Sequence, residues 1–218
     1  SLGLRLSRSG SDSGYYRASG GDRLMTCRIF HALGRHALQT PGKAALRSGT
    51  RCIDYGHLAA FLAQTAHTLT GPARVIGIAA DDPLDAALAD LALAYSGHVS
   101  VHLPPFFSAA QRAHIVEAAG IGTIVGAVGL GDGAQVLPRP EDCPPLDGPL
   151  APPASGARRI IFTSGSSGRP KGVLIGEKQM AAAIAGLEKA IAPRAEDRHL
   201  SLLPMAQLLE QVAGLYLP

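Results

Sequence analysis

Tryptophan is absent from the sequence, and aromatic residues make up only 5% of it, although 46% of the residues are hydrophobic. The core must therefore consist of Ala, Leu, Ile and Val, which favours layered helices and sheets over a small β-barrel. The chain has 218 residues, enough for one domain with a substantial core.

Cysteine is scarce as well. The three cysteines are Cys27, Cys52 and Cys143, and they lie far apart. An odd number at this spacing excludes a disulfide framework and a zinc-binding motif. The sequence therefore predicts a reducing compartment, and we expect a cytoplasmic protein.

Long apolar runs are also missing. None reaches the roughly 18 residues that a membrane helix needs, and the best candidate, residues 86–101, is interrupted by Asp90 and His98. The sequence predicts no transmembrane segment, and peripheral membrane association stays open. The net charge of +3 is too small to indicate a nucleic-acid partner.

Residues 1–24 are rich in Ser, Gly and Arg and have no apolar periodicity. This composition predicts disorder. The segment has the character of a leader or a translated upstream sequence, with Met25 as a candidate natural start. Residues 25–218 then form the predicted domain.

The first half of that domain alternates between strands and helices. Buried strands are predicted at Ala73–Ala79, His98–Leu103 and Ile121–Val128, with helical patterns between them. This order predicts an α/β fold in which a parallel-rich sheet is layered against flanking helices.

Helix starts can be predicted from capping residues. Asp54 is a candidate N-cap for a helix that begins at Tyr55. Asp82 followed by Pro83 predicts the start of a core helix that runs to Tyr95. Ser108 and Gln111 have the spacing of a capping box.

The second half is less regular. Residues 129–157 are rich in Pro and Gly and are predicted to be a linker. A helix is predicted at Glu177–Ala192 and a short strand at His199–Pro204. The segment from Met205 onwards has the pattern of a helix that is beginning.

One short stretch carries most of the functional signal. Between the predicted strands Ile160–Thr163 and Val173–Ile175 lies a loop of small, hydroxylated and basic residues. Gly165 and Gly168 allow tight turns and a close approach to a ligand. Successive backbone N–H groups, hydroxyl groups and the charge of Lys171 together indicate a phosphate-binding loop.

Two common motifs are excluded. A Walker loop requires Gly-Lys-Ser/Thr leading into a helix, whereas Pro170 separates Arg169 from Lys171 and a strand follows. A nucleophile elbow is excluded because Arg169 stands in the place of its last glycine. An ordinary Ser/Gly surface hairpin is the remaining non-functional interpretation.

"TSGSSGRPKGV" (Thr163–Val173) resembles the phosphate-loop signature of the adenylate-forming superfamily, which includes acyl-CoA synthetases, luciferases and peptide-synthetase adenylation domains. "TPGKAALRSGTRCIDYGHLAAFLAQTAHTL" (Thr40–Leu69) is similar to the opening of these enzymes. "RVIGIAADDPLDAALADLALAYSGHVSVHLPP" (Arg74–Pro105) is similar to their first βαβ unit. "LSLLPMAQLLEQVAGLYLP" (Leu200–Pro218) resembles the segment that shapes the acyl pocket, and its residues are most similar to those of fatty acyl-CoA synthetases.

The resemblance implies the N-terminal part of an adenylate-forming large domain. It also implies ATP-dependent activation of a carboxylic acid, most simply a fatty acid, through an acyl-adenylate, with Mg²⁺ assisting and coenzyme A accepting the acyl group. The phosphate contacts that it implies are Thr163, Ser164, Gly165, Ser166, Ser167, Gly168 and Lys171. Thr163 or a nearby serine would lie near the metal.

The sequence departs from the family pattern in two ways. Gln207, a candidate residue of the acyl pocket, occupies a position where the family often has His, and Gln cannot carry a charge. Glu210 is either a residue of the acyl pocket or metal side, or a solvated or capping residue. The family's adenine, ribose and C-terminal catalytic segments have no counterpart in this sequence, so we expect no complete catalysis from this chain alone and assign no catalytic residue.

Other functions stay open at this stage. An acyl-AMP ligase or an adenylation domain would load a carrier protein instead of coenzyme A. A short, non-catalytic nucleotide-binding module is an alternative of a different class. His98 and His102 share a strand face, which is compatible with a metal site, but no third ligand is evident, and structural histidines at the core edge or surface explain the pair better.

Overall fold

The computed structural model describes residues 25–126, 134–154, 157–163, 170–194 and 196–217. The predicted disorder of residues 1–24 lies outside the described residues. So do residues 127–128 of the third predicted strand and residues 129–133 and 155–156 of the predicted linker.

The described chain opens with two helices separated by a hairpin. In order these are α1 (Met25–Gln39), β1 (Ala44–Ser48), β2 (Arg51–Asp54) and α2 (Tyr55–Thr68). The two strands pair antiparallel. The predicted start of α2 is confirmed, because the Asp54 carboxylate accepts a hydrogen bond of 2.8 Å from the backbone N–H of His57.

Strands and helices then alternate as predicted. The elements are β3 (Val75–Ala79), α3 (Pro83–Tyr95), β4 (Val99–His102), α4 (Ala109–Ala119) and β5 (Thr123–Gly126). Strand β3 lies between β4 and β5 and pairs parallel with both. The predicted parallel core is therefore confirmed, with each strand slightly shorter than its apolar pattern.

Both predicted caps in this region are present. The Asp82 side chain accepts from the N–H of Leu84 at 2.8 Å, and Pro83 is the first residue of α3. The Ser108 hydroxyl accepts from the N–H of Gln111, whose side chain accepts in return from the N–H of Ser108. Local side-chain chemistry thus sets where α3 and α4 begin.

The remaining elements extend the sheet and cover one side of it. They are β6 (Ala134–Gln135), a 3₁₀ turn (Pro140–Asp142), β7 (Arg158–Thr163), β8 (Lys171–Ile175), α5 (Glu177–Ile191) and α6 (Leu208–Glu210), which widens into a π-helix (Gln211–Tyr216). The six strands lie in the order β6-β5-β3-β4-β7-β8. All neighbours are parallel except β7 and β8, which form an antiparallel hairpin.

The predicted strand at His199–Pro204 is wrong, because the described residues 196–207 include no strand. Its leucines alternate as in a strand, but Leu200 and Leu202 are 74% and 79% exposed, so the alternation faces solvent. Period-two patterning predicts a strand only where a sheet lies alongside to pair with it.

The predicted linker is only partly a linker. Within its described residues are β6 and the 3₁₀ turn, and the segment is attached to the core by Tyr95. The Tyr95 hydroxyl donates to the carbonyl of Ala151 at 2.8 Å, and the N–H of Ala154 donates to the carbonyl of Tyr95 at 2.9 Å. Proline and glycine content indicated irregular backbone here but not its attachment.

Helix α3 lies at the centre of the hydrophobic core, as its Leu/Ala composition predicted. Nearly all of its residues are buried, including Leu88 and Leu93. Its last residue, Tyr95, meets the ring of Phe30 edge to face at 5.1 Å between centroids. Full burial of each such leucine contributes about 1.5–3 kcal/mol, so α3 fixes the sheet that carries the candidate site.

Candidate active site

The hairpin of β7 and β8 flanks the predicted phosphate loop. Thr163 and Lys171 form its last register pair, and the Thr163 hydroxyl lies 3.5 Å from the carbonyl oxygen of Lys171. The structure thus brings two predicted phosphate contacts together at the mouth of the loop. The other five predicted contacts lie outside the described residues: Ser164, Gly165, Ser166, Ser167 and Gly168.

The hairpin opens at the edge of the sheet where its parallel strands end. Strands β3, β4, β5 and β7 run in the same direction, so their carboxyl ends share one edge. Thr163 is the last residue of β7 and lies at that edge. Open α/β sheets place their ligands outside this edge, and the position of the loop therefore suits a binding function.

The end of the loop is fixed by contacts with neighbouring elements. The carbonyl of Pro170 accepts a hydrogen bond of 3.2 Å from Nε2 of His114 on α4. A Cβ at Gly172 would lie 2.9 Å from Ile160 Cγ2 and 3.0 Å from Phe162 Cζ. A larger residue after Lys171 would therefore have to displace packed side chains, and the exposed Lys171 side chain faces solvent.

The second candidate group consists of Gln207 and Glu210, near the C-terminal end of the described chain. Gln207 is exposed just before α6, whereas Glu210 is only 3% exposed. One Glu210 oxygen lies 3.0 Å from Nε2 of His199, and the other accepts from the N–H of Leu203 at 3.2 Å. The interpretation of Glu210 as a solvated residue is therefore wrong. It holds the irregular segment 199–203 in place.

The electrostatics of Glu210 agree with this role. Burial alone would raise the pKa of its carboxyl, but hydrogen bonds from Ser201, His199 and the N–H of Leu203 outweigh burial and lower the pKa. The pair lies against Gly214, since a Cβ there would meet the Glu210 carboxylate and the His199 ring and would displace them.

An open groove of about 2720 Å³ runs past this group. His199 and Gly214 form part of its wall together with the ends of β3 and β4 and one side of α5. Several apolar side chains face it, including Leu202 and Ile191. The groove therefore places apolar surface near the carboxyl edge of the sheet.

Comparison with known protein families identifies the family of this chain. The family model for AMP-binding enzymes matches residues 33–218, most of the chain. The chain belongs to the AMP-binding enzyme family. The matched region spans the phosphate loop and its hairpin, the Glu210 group and most of the α/β core, which bears out the resemblance to adenylate-forming enzymes.

Individual relatives of this AMP-binding chain differ in activity. An isonitrile lipopeptide synthase of Streptomyces coeruleorubidus is 32% identical over 176 residues, 72% of this chain and 12% of that protein. A long-chain-fatty-acid–CoA ligase 1 of Cavia porcellus is 38% identical over 68 residues, 29% of this chain and 10% of that protein. The chain thus spans about a tenth of each relative's length.

A solved structure supports the same fold. A malonyl-CoA ligase with methylmalonyl-CoA and AMP bound matches with a TM-score of 0.67 and 24% identity, over 80% of this chain and 38% of that one. The mixed α/β architecture with its parallel-rich sheet is therefore that of adenylate-forming domains. At this identity the match establishes the fold alone.

A buried cluster of charged and polar side chains was not predicted from the sequence. We call it the buried hub, and its centre is Asp90 on α3, which is completely buried. Asp90 accepts hydrogen bonds from the Ser100 hydroxyl at 2.8 Å and from His102 Nε2 at 3.3 Å, and Arg159 Nη1 lies 3.5 Å away. The hub consists of Asp90, Ser100, His102, Arg159, Gln211 and Tyr216.

Strand geometry explains how the hub assembles. Ser100 and His102 are two residues apart on β4, so both side chains point to the face covered by α3. Arg159 on β7 is the register partner of Ser100. The sequence carried one signal of the hub, because Asp90 interrupts an otherwise apolar run, but a charge in such a run does not reveal its partners.

The hub keeps Asp90 ionised despite its burial. Burial alone would raise the pKa of this carboxyl, but Arg159, His102 and the Tyr216 hydroxyl outweigh it and hold the pKa well below its usual range. The pKa of Tyr216 is raised far above its usual range, first by burial and then by the Asp90 charge. The ionised Asp90 carboxylate thus accepts hydrogen bonds from Ser100, His102 and Tyr216.

The two histidines considered as metal ligands are structural. His98 Nε2 donates to the carbonyl of Leu69 at 2.8 Å, and His102 belongs to the hub. Both are buried in the core and not at its surface. Over the described ranges, no group of three or more His, Cys, Asp or Glu side chains is placed to hold a metal ion.

In the part of the chain that the structure describes, no helix combines the length and the apolar character needed to cross a bilayer.

Proposed function

We propose that the protein activates a carboxylic acid with ATP. A carboxylate oxygen of the acid attacks the α-phosphorus of ATP, the bond to the β-phosphate bridge breaks, and pyrophosphate leaves with the electron pair. The products are an acyl-adenylate and pyrophosphate. The observation that carries this proposal is the pairing of Thr163 with Lys171 at the carboxyl edge of the sheet, around a Ser/Gly loop.

The loop residues have distinct roles in this proposal. The Lys171 ammonium neutralises charge on the β- and γ-phosphates, and the backbone N–H groups and hydroxyls of residues 163–168 bind phosphate oxygens. Each such hydrogen bond to a charged oxygen contributes about 1.5–3 kcal/mol. Because phosphoryl chemistry depends mainly on positioning and charge stabilisation, such a loop supplies much of what it requires.

A magnesium ion fits this site in a limited way. Mg²⁺ is usually held by one or two protein ligands together with substrate phosphates. Thr163 offers a hydroxyl at the carboxyl end of β7, where the predicted phosphate loop begins. When bound, the ion supplies charge neutralisation on the phosphates. The chain's own residues orient the triphosphate and balance the rest of its charge.

For the acid and its acceptor we propose a fatty acid and coenzyme A. The apolar side chains of the groove, such as Leu202 and Ile191, offer a surface for an alkyl chain, and the fatty-acid–CoA ligase is among the relatives. The second candidate is an adenylation domain that loads a carrier protein, which the match to a lipopeptide synthase over 72% of this chain favours. A non-catalytic nucleotide-binding module is the third.

The setting that we propose is a reducing compartment such as the cytoplasm. Among the described side chains Cys52 is exposed and Cys143 is buried, and neither forms a disulfide. Reduced cysteines are the norm in such compartments. Peripheral contact with a membrane is compatible with a fatty-acid substrate.

The experiment is acid-dependent exchange of labelled pyrophosphate into ATP, catalysed by the gene product as its cell makes it. The panel contains fatty acids of increasing length and the proteinogenic amino acids. We expect exchange with fatty acids and, after addition of coenzyme A, a thioester detected by mass spectrometry. Exchange only with amino acids would favour the second candidate, an adenylation domain that loads a carrier protein. ATP binding without pyrophosphate exchange for any acid would favour the third candidate, a non-catalytic nucleotide-binding module.

A further inference from the structure

The buried hub holds both ends of the segment that contains the second candidate group. The Tyr216 hydroxyl donates to Asp90 Oδ2 at 2.7 Å. Arg159 Nη1 donates to Gln211 Oε1 at 2.9 Å, and Gln211 Nε2 donates to the carbonyl of Met205 at 2.7 Å. Two of these hydrogen bonds therefore connect residues 205–216 to α3 and β7, and the third lies within the segment.

The same strand that contributes to the hub also ends in the phosphate loop. Arg159 and Thr163 are four residues apart on β7, which fixes their Cα atoms about 13 Å from each other in extended backbone. Arg159 Cζ also lies 4.5 Å from the centroid of the Tyr216 ring, a cation–π contact. The hub thus defines where residues 205–216 lie relative to β7, which ends at Thr163.

Through Glu210, the position of residues 205–216 also determines the position of residues 199–203. Its carboxylate binds His199 and the N–H of Leu203. Segment 199–203 has no strand or helix of its own among the described residues, so its place follows from Glu210 and therefore from the hub. This chain of contacts connects the groove wall to β7.

A buried charge network is poorly explained by stability alone. Well-packed hydrophobic residues often serve a core as well as an ion pair does or better, whereas directed polar contacts can specify register. Register matters in this segment, because α6 widens into a π-helix at residues 211–216. π-Helical turns are rare and frequently occur at functional sites.

We propose that Asp90 and Arg159 are positioning residues for acid activation. They hold residues 205–216 in the register at which Glu210 fixes His199 and Leu203 in the groove wall, and so align the carboxylate of the acid with the ATP held between Thr163 and Lys171. This inference rests on the proposed function. The residues act through the segment and do not themselves touch the substrate.

The test uses Tyr216→Phe, which removes one hydroxyl from the hub and preserves the ring. Tyr95→Phe is the matched control, because Tyr95 is also a buried tyrosine that donates one hydrogen bond, to Ala151, outside the hub. Steady-state pyrophosphate exchange is measured against acid and against ATP for both variants and the wild type, together with the thermal unfolding midpoint.

We expect Tyr216→Phe to lower kcat/KM for the acid by about tenfold or more, since small misplacements of reacting groups are costly. The KM for ATP should stay within about twofold. Tyr95→Phe should lower the unfolding midpoint to a similar degree and leave both kinetic parameters unchanged. This contrast separates positioning from general stability.

Each other result has a defined meaning. If Tyr216→Phe leaves kcat/KM for the acid unchanged, or if both variants change it equally, the hub is only structural and this inference is overturned while the proposed function stands. A wild-type protein without exchange overturns the proposed function and the inference with it. Should Tyr216→Phe fail to fold, Gln211→Glu, which keeps the acceptor for Arg159 and loses the donor to Met205, is judged by the same criteria.

Discussion

The phosphate-loop hairpin and the buried hub share strand β7 and use charge in opposite ways. Beside the carboxyl end of β7, Lys171 at the start of β8 is exposed, and its charge faces solvent. Near the other end Arg159 is 4% exposed and is surrounded by Asp90, Gln211 and Tyr216. One cation is available to a ligand, and the other is committed to the fold.

This difference shows which part of a site a sequence can reveal. The phosphate loop is a contiguous run of residues with a characteristic order, so its chemistry is visible in the sequence. The hub joins residues that are far apart in the chain, with 126 positions between Tyr216 and Asp90. Its existence depends on the fold that brings them together.

The largest predicted effect concerns the centre of the hub. Asp90→Asn removes the only negative charge that the structure describes in the hub, and it leaves Arg159 buried without a counter-charge. Breaking a buried ion pair typically costs about 3–5 kcal/mol. We expect a loss of that size in the free energy of unfolding, measured by urea titration.

A matched control lies on the same helix. Asp85 also pairs with an arginine, Arg51, at 2.8 Å, but the side chains are 44% and 33% exposed. Asp85→Asn should therefore change the unfolding free energy by no more than about 1 kcal/mol. Equal losses for the two variants would contradict the contrast between buried and exposed charge.

The same carboxylate predicts acid sensitivity. The pKa of Asp90 is lower in the folded protein than in the unfolded chain, so its stabilising contribution is fully present above pH of about 4, the unfolded pKa. The contribution is lost as the pH falls through the folded pKa. Wild-type stability should therefore decrease below about pH 4 more steeply than that of Asp90→Asn. Parallel pH profiles of the wild type and Asp90→Asn would show that folding does not lower the pKa of Asp90.

A smaller effect is expected at the hairpin. Gly172→Ala would place a methyl group against Ile160 and Phe162, and such overpacking costs about 1–3 kcal/mol. The matched control is Gly186→Ala on α5, where the new methyl group meets open space and helix propensity favours Ala by up to about 1 kcal/mol. Thermal unfolding should thus shift in opposite directions. A neutral Gly172→Ala would mean that the motif glycine serves the ligand and not the packing.

The sequence was most informative where structure is set locally. The starts of α2, α3 and α4 follow from the side chains of Asp54, Asp82 and Ser108, which cap their own helices. The parallel core follows from apolar strands separated by helices. These features need no knowledge of distant residues, and the structure confirms them.

The failures share one cause, which is that tertiary context decided the outcome. Leu200 and Leu202 alternate as in a strand but have no sheet beside them among the described residues. Glu210 could equally have been solvated, and only its contacts with His199 and Leu203 reveal a buried role. Asp90 was visible only as an interruption of an apolar run.

The most direct test of the central claim is the affinity of the gene product for ATP, measured by isothermal titration with and without Lys171. If the hairpin presents Lys171 to the phosphates, Lys171→Ala should weaken ATP binding by about tenfold or more, because a charge-assisted contact is lost. Lys189→Ala, an exposed lysine on α5, is the control and should leave the affinity unchanged. An unchanged affinity in Lys171→Ala, or an equal loss in both variants, would contradict the account.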